Sequence, residues 1–358
     1  MSGPTTGPTE DSGGNNPDRT GDTGGASGTG GRADRAGALS EREYRSLLRA
    51  ARAAPSVHNT QPWLFRLRGD RVELWADERR MLAQADPRGR QLVISCGAAL
   101  LNLRLAVEHL GFDAPTTAYP DRSNGTHLAT VVRGPAREPD PETERLYAAV
   151  ADRHTHRGPH RPEPVGRATA MRLSRAARQE GAVLHEVRTD EQRSLLHEGL
   201  RHAIAAELTD RALRAEFLSW VRADGEGDRG DGVPASSWER APYPTPANHP
   251  DGGLTGNDAE ALADMVERES FFMLATGTDD PADWLRTGEA LQRVLLTAHD
   301  AGLAVSFLNQ PIEAAALRGL LPSALDLPGV AQMLLRVGYP WTLEPATSRR
   351  PLEEIAES

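Results

Sequence analysis

Two stretches of this chain are built alike. CGAALLNLRLAVEHLGF, residues 96–112, and TGEALQRVLLTAHDAGLAV, residues 287–305, each carry a glycine among small residues, a long apolar helix and a glycine stop. Each is followed downstream by a strand-like run, HLATVVR at 127–133 and AQMLLRVGYP at 331–340. Internal likeness of this kind reads as two structurally related halves, residues 39–140 and 141–358. Chance likeness of two buried helices is the competing reading.

The rest of the pattern fits around those helices. Leu39 to Ala53 reads as a helix, with Ser40 as N-cap, Glu43 three residues on and an apolar stripe of Tyr44, Leu47 and Leu48. Pro55 stops it. LFRLRGDRVELWAD then alternates on both sides of Gly69-Asp70, as a hairpin does. Helices are expected over 90–110, from PDPETERLYAAVADR onward, over roughly 167–180 and over 190–219, with strands at 127–133 and 182–188. Residues 1–38 hold no large apolar residue between Met1 and Leu39 and are expected to form a disordered tail. Residues 222–258, rich in Gly, Asp and Pro but carrying Trp238 and Tyr243, read as a structureless lid or a flexible insertion.

Composition removes several function classes. The net charge of -10 argues against nucleic-acid binding, which wants a basic face. The chain contains no lysine, so a Schiff-base lysine, and with it pyridoxal phosphate in its usual attachment, is excluded. Cys96 is the single cysteine, which rules out an internal disulfide and a thiolate metal cluster; within VISCGAALL it reads as a small buried residue. No run approaches the ~20 apolar residues of a membrane span, and no secretory pattern opens the chain. A soluble, cytoplasmic protein is expected.

Two loops concentrate chemistry. PSVHNTQPW, residues 55–63, sets Ser56, His58, Asn59 and Gln61 between two prolines. RHTHRGPHR, residues 153–161, brackets Thr155 with Arg153 and Arg157. Two guanidiniums four residues apart with a hydroxyl between them suit a phosphate, since arginine offers a planar fork of donors. A solvated helix end with surface ion pairs is the alternative. His154, His156 and His160 do not suggest a metal: alternate residues diverge in an extended segment, and the arginines repel a divalent cation. The chain has no G-x-G-x-x-G after a strand, no Walker loop and no H-E-x-x-H.

Taken together, these segments resemble the nitroreductase family of flavin enzymes. AARAAPSVHNTQPWLFRL resembles that family's helix–loop–strand, RHTHRGPHRPEPV its Arg-x-Ser-x-Arg start with Thr155 in the serine place, and LLTAHDAGLAVSFLNQPIE its core helix and flavin-facing loop. VGYP followed by SRRPLEE resembles its C-terminal strand and basic tail. The likeness covers about 40–355 apart from the insertion, but the order departs from the common one. Here the PSVHNTQPW loop precedes the arginine motif by almost a hundred residues. That arrangement resembles the Acg-type proteins of actinobacteria, in which one chain folds as a fused pseudo-dimer.

The resemblance implies an α+β fold with helices around antiparallel sheets, and one FMN per chain held between the halves. It implies a hydride passed from NAD(P)H through FMN to a small electron-poor acceptor, a nitroaromatic or a quinone. It also implies a monomeric pseudo-dimer or a homodimer, with no nucleic-acid or membrane partner. By the same resemblance Arg153 and one or both of Arg349 and Arg350 bind the phosphate, and Thr155 and Arg157 reach the ribityl chain or the N1–C2 edge. Ser56, Asn59 and Gln61 pin the cofactor from the other half, and Asn309 and Gln310 stand near flavin N5. No catalytic side chain is implied; His58 is a conceivable proton donor. A non-catalytic, flavin-sequestering protein with a lid over its FMN is the second reading that the resemblance brings.

Overall fold

The computed structural model describes residues 38–224, 229–250, 252–342 and 346–357. The expected tail over 1–38 lies, Ala38 apart, outside the described residues. Helix α1 (Glu41–Arg52) starts from a complete capping box: Glu43 N donates to Ser40 Oγ, and Ser40 N donates to the Glu43 carboxylate at 2.8 Å. Strands β1 (Trp63–Arg68) and β2 (Arg71–Ala76) form the expected hairpin, with Gly69 at φ +66° in the turn. Helix α2 (Arg90–His109), β3 (Thr116–Ala118) and β4 (His127–Val132) complete the first half.

The second half contains α3 (Pro141–Asp152), α4 (Arg167–Gln179), β5 (Val183–Val187), α5 (Asp190–Thr209) and α6 (Arg211–Ser219). It continues through β6 (Val221–Arg222), β7 (Val233–Pro234), α7 (Ala235–Glu239), α8 (Gly256–Arg268) and β8 (Ser270–Thr276). Then come α9 (Pro281–Asp300), β9 (Ala304–Phe307), α10 (Gln310–Glu313), α11 (Ala315–Ala324) and β10 (Val330–Gly338). The chain closes with α12 (Leu352–Ile355) and β11 (Ala356–Glu357).

One sheet runs β11-β1-β2-β4-β3 and the other β5-β8-β10-β9, antiparallel throughout except where β11 joins β1. Between them α2 and α9 pack against each other along their length. The contact is closest at Gly97 and Gly288, where a methyl group on either would strike backbone of the opposite helix, Leu285 O and Ile94 O respectively. Two amides link across this buried seam: Gln292 Nε2 donates to Asn102 Oδ1 at 2.7 Å, and Asn102 Nδ2 donates to Ala50 O at 2.9 Å. The apolar core is continuous across the seam, joining Leu48, Phe65 and Leu101 to Phe272, Leu291 and Leu335.

Three expectations need correction. Helix α2 does have the length and apolarity of a membrane span, but most of it is buried, and packing against α1 and α9 accounts for its composition. The 222–258 segment is not structureless: β6 and β7 pair in parallel, α7 follows, and Trp238, Tyr243 and Thr245 are buried. The boundary at 141–358 also misplaces the C-terminal segment, because β11 pairs with β1 in register Phe65↔Ala356 and so lies in the first sheet. That pairing covers what would otherwise be an open sheet edge, and Arg66 Nε–Glu357 Oε2 at 2.7 Å closes it.

Candidate functional site

The 55–63 loop owes its shape to an unusual backbone. His58, Asn59 and Gln61 take φ of +45°, +57° and +49°, left-handed values that cost a side-chain-bearing residue about 1–3 kcal/mol. The surroundings hold them there. Gln61 N donates to Ser56 Oγ at 2.9 Å, folding the loop on itself. Asn59 Nδ2 donates to Gly232 O at 2.9 Å and Ser348 O at 3.0 Å. Gln61 Nε2 donates to Gly230 O at 2.6 Å, and its Oε1 accepts from Arg350 N at 2.9 Å.

These bonds occupy three of the expected cofactor ligands with contacts inside the protein. Asn59, Gln61 and Arg350 are buried, and their polar atoms are engaged in clamping the 230–232 segment and the 348–350 segment onto the loop. Arg350 Nη1 donates to Gln61 O and its Nη2 to Glu354 O, each at 3.0 Å. None of the three lines the cavity beside the loop.

That cavity encloses about 860 Å³, counting its open mouth, where the halves meet. Ser56 and His58 reach it from the first half; Thr155, Arg157, Asn309 and Gln310 reach it from the second. Ile94, Leu291, Phe307 and Met333 supply apolar walls. Asn309 is held in place, its Oδ1 accepting from Leu334 N at 3.0 Å. Phe217 of α6 and Trp238 of the insertion roof the space: their ring centroids are 4.9 Å apart, His58 packs edge-on against Phe217 at 5.0 Å, and the Arg157 guanidinium lies 4.7 Å from the Trp238 ring. Burial and the Arg157 charge push the His58 imidazole down to about 4. It is therefore neutral near pH 7, which removes an imidazolium proton donor.

Arg153 borders an adjoining cavity with His154, His156 and His299. It is 4% exposed, its Nε has no hydrogen-bond partner, and its Nη2 donates only to the carbonyl of Ala53, at 3.3 Å. Arg349 donates to the same carbonyl at 3.3 Å and to Arg52 O at 3.0 Å. No carboxylate among the described residues pairs with either one. Burial first, then Arg349, holds the Arg153 guanidinium down at about 9, and burial with Arg52 and Arg157 holds Arg349 at about 10. Burial and the same arginines press the His154 imidazole to about 4. Two neighbouring guanidiniums, Arg153 buried and Arg349 half-buried, with no carboxylate paired to either among the described residues, fit a bound anion, and a phosphate most directly.

The loop that carries Thr155 and Arg157 is braced from below. Arg336, fully buried, donates to Gly158 O at 2.7 Å and to Glu269 Oε1 at 3.0 Å, and Glu269 Oε2 meets His160 Nδ1 at 2.6 Å. Cys96 is buried with Sγ 3.1 Å from Pro62 O, and burial pushes its thiol up, so it is inert packing. Sequence reasoning passed over Gln91, Glu207 and Glu313, which also line the main cavity. Glu207 lies in α5 with Asp190, Glu191 and Glu198, where one more acidic residue carries no distinguishing signal.

No family model matches this chain. Among curated proteins it is 34% identical over 87% of its length to "Putative NAD(P)H nitroreductase Rv3131" of Mycobacterium tuberculosis strain H37Rv, covering 90% of that protein. It is 31% identical over 87% of its length to "Putative NAD(P)H nitroreductase acg" of the same strain, covering 94% of it. Among solved structures, the FMN-dependent nitroreductase NfnB of Mycobacterium smegmatis in complex with NADPH aligns at 18% identity and TM-score 0.37 over 61% of this chain and 97% of that one. With relatives this similar over nearly its whole folded length, the chain belongs to the nitroreductase family, alongside Acg and Rv3131.

Proposed function

We propose that this protein is an FMN-dependent NAD(P)H oxidoreductase that delivers electrons to a small electron-poor acceptor, a nitroaromatic or a quinone. The carrying observation is the pairing of buried Arg153 with half-buried Arg349, neither of which has a carboxylate partner among the described residues; Arg153 borders a cavity that adjoins the one between the halves. When bound, FMN supplies hydride acceptance and donation. Arg153 and Arg349 hold its phosphate. Thr155 and Arg157 line the next cavity and supply a hydroxyl and a positive charge for the rest of the cofactor. Ile94, Leu291, Phe307 and Met333 give the apolar walls that a flat aromatic ring needs, and Phe217, Trp238 and neutral His58 keep water from it.

One FMN per chain is the stoichiometry this reading requires. By topology the counterpart of the 55–63 loop in the second half is the turn between α4 and β5. There Gly181 lies against the Arg286 side chain, whose guanidinium is paired with Asp283. A cytoplasmic location suits a protein that draws on NAD(P)H. A single chain contributes both sides of the site, so a monomer is sufficient for it.

A second reading, a flavin-sequestering protein without turnover, is favoured by the roof that Trp238 and Phe217 form over the cavity. One experiment separates the two. Apoprotein titrated with FMN should saturate at one per chain, and anaerobic NADPH or NADH should then bleach the flavin absorbance promptly. No bleaching, with dithionite still able to reduce the flavin, selects sequestration. Saturation at two per chain, or no binding, overturns the site assignment.

A further inference from the structure

The main cavity has an acid-bearing end that the cofactor reading leaves without a task. Glu207 on α5 and Gln310 and Glu313 on α10 border both this cavity and a neighbouring one of about 620 Å³, counting its mouth. Glu207 Oε2 and Gln310 Oε1 are closed off from solvent and have no hydrogen-bond partner among the described residues. The Gln310 side chain donates to Glu207, and Gln91 Nε2 donates to Glu313 Oε1 at 3.0 Å. From the insertion, Tyr243 lines the same cavity and is 5% exposed.

The charges around this end decide which protons stay on. Glu207 faces Glu313 and Gln310 on α10, with neutral His58 from the 55–63 loop and Glu216 from α6 bordering the neighbouring chamber. Glu313 in turn feels Arg90, Asp86 and Glu216. Burial, then the Glu313 charge, pushes the Glu207 carboxyl up to about 8. Burial also raises the Tyr243 phenol, against the pull of Arg336 and Arg157. Near pH 7 both side chains therefore keep their protons and present O–H donors.

We propose that Glu207 and Tyr243 form the acceptor-recognition end of the site, a pair of O–H donors that binds an aromatic molecule through an oxygen of an uncharged group and rejects an aromatic carboxylate. Quinone carbonyls, nitro groups and carboxamides belong to the accepted class. A carboxylate brings a full negative charge toward Glu313 in a site shielded from water, where like charges repel strongly. A site built from buried donors also discriminates against any ligand that leaves them unpaired. The inference rests on the reading of this cavity as the electron-transfer site.

The test uses oxidised, FMN-loaded protein without nicotinamide, so that nothing turns over, and measures calorimetric dissociation constants for 4-nitrobenzamide and 4-nitrobenzoate. At pH 7 the amide should bind roughly tenfold or more tightly than the carboxylate. Its affinity should fall between pH 7 and pH 9 as Glu207 ionises. Glu207→Gln should shrink the preference to about threefold or less and remove that pH dependence, and Tyr243→Phe should weaken the amide about fivefold. Equal affinities, an unchanged preference in Glu207→Gln, or tighter binding of 4-nitrobenzylamine than of the amide would each overturn the proposal. If the glutamine variant does not fold, the pH dependence of the unmodified protein and the Tyr243→Phe result decide it. Failure to load FMN refutes the functional reading; loaded protein without the preference refutes this inference alone.

Discussion

Arg153 and Arg349 both donate to the carbonyl oxygen of Ala53, each at 3.3 Å, and share that one acceptor without any carboxylate partner among the described residues. Two cations brought together in a buried place destabilise each other until an anion arrives. Inorganic phosphate should therefore raise the Tm of the apoprotein. Arg153→Gln should abolish that rise and weaken FMN binding roughly ten- to a hundredfold, the loss expected of one charge-assisted hydrogen bond of about 1.5–3 kcal/mol. The apo form of the same variant should be no less stable than the parent. A phosphate response preserved in the variant would refute the assignment.

The seam between the halves is the most intolerant place in the fold. Gly288→Ala puts a methyl group on the Ile94 carbonyl, and Gly97→Ala puts one on the Leu285 carbonyl. Backbone cannot yield as a side-chain tip can, so each should destabilise by about 1–3 kcal/mol or more in urea unfolding. Because the cavity lies between the halves, FMN affinity should fall in parallel.

Glu269→Ala should be costlier than an ordinary surface change, since it strands Arg336 in the interior with no counter-charge. Removing one partner of a buried pair destabilises by about 3–5 kcal/mol. The pH response has a defined sign. Hydrogen bonding to His160 and the Arg336 charge hold the Glu269 carboxyl below its ordinary 4.5 despite burial, so its stabilisation is full above that value and lost as pH falls through the lower folded one. Burial outweighs the Glu269 bond and holds His160 below 6.5, so the unfolded chain takes up its proton first and stability declines as pH drops beneath 6.5. Both effects act in the same direction. Acid unfolding followed by circular dichroism should begin at a higher pH in Glu269→Gln than in the parent.

Asn59 and Gln61 fasten the insertion onto the 55–63 loop. Asn59→Ala and Gln61→Ala each free carbonyls of the 230–232 segment and should cost about 1–3 kcal/mol where a buried group is left unpaired. Limited proteolysis should cut near residues 229–250 faster in both variants. Unchanged cleavage would show that Trp238 and Phe217 alone hold the roof.

Most of the scaffold was legible because it follows strong local rules. The Ser40–Glu43 capping box, the Gly69-Asp70 hairpin and the two apolar helices with glycine stops stand where periodicity and turn chemistry place them. Strand β8 was passed over because SFFMLAT is buried on both faces and has no alternation to read. Strand β11 is too short to carry a pattern, and its place depends on an edge that only the folded β1 offers. At the site, residue type marked the 55–63 loop as important but not where each side chain points. Three left-handed residues in four positions turn Asn59 and Gln61 away from the cavity while Ser56 and His58 face it. No spacing rule anticipates such a backbone. Glu207 became visible only when α5 set it against Glu313; it belongs to no motif and is adjacent to Glu313 in space alone.

The parallel pairing of β11 with β1 also sets an order on folding during synthesis. Residue Phe65 leaves the ribosome nearly three hundred residues before its partner Ala356, and α2 appears long before α9. The first half thus emerges with an uncovered sheet edge and an α2 packed only on its α1 side; α9 covers the helix when it is made, but the edge stays open until the C-terminal segment has followed. Arg349 arrives with that same segment. A nascent chain of this design is exposed to aggregation through most of translation, and a ribosome that stalls within the second half releases a product with neither a finished core nor a complete anion pocket.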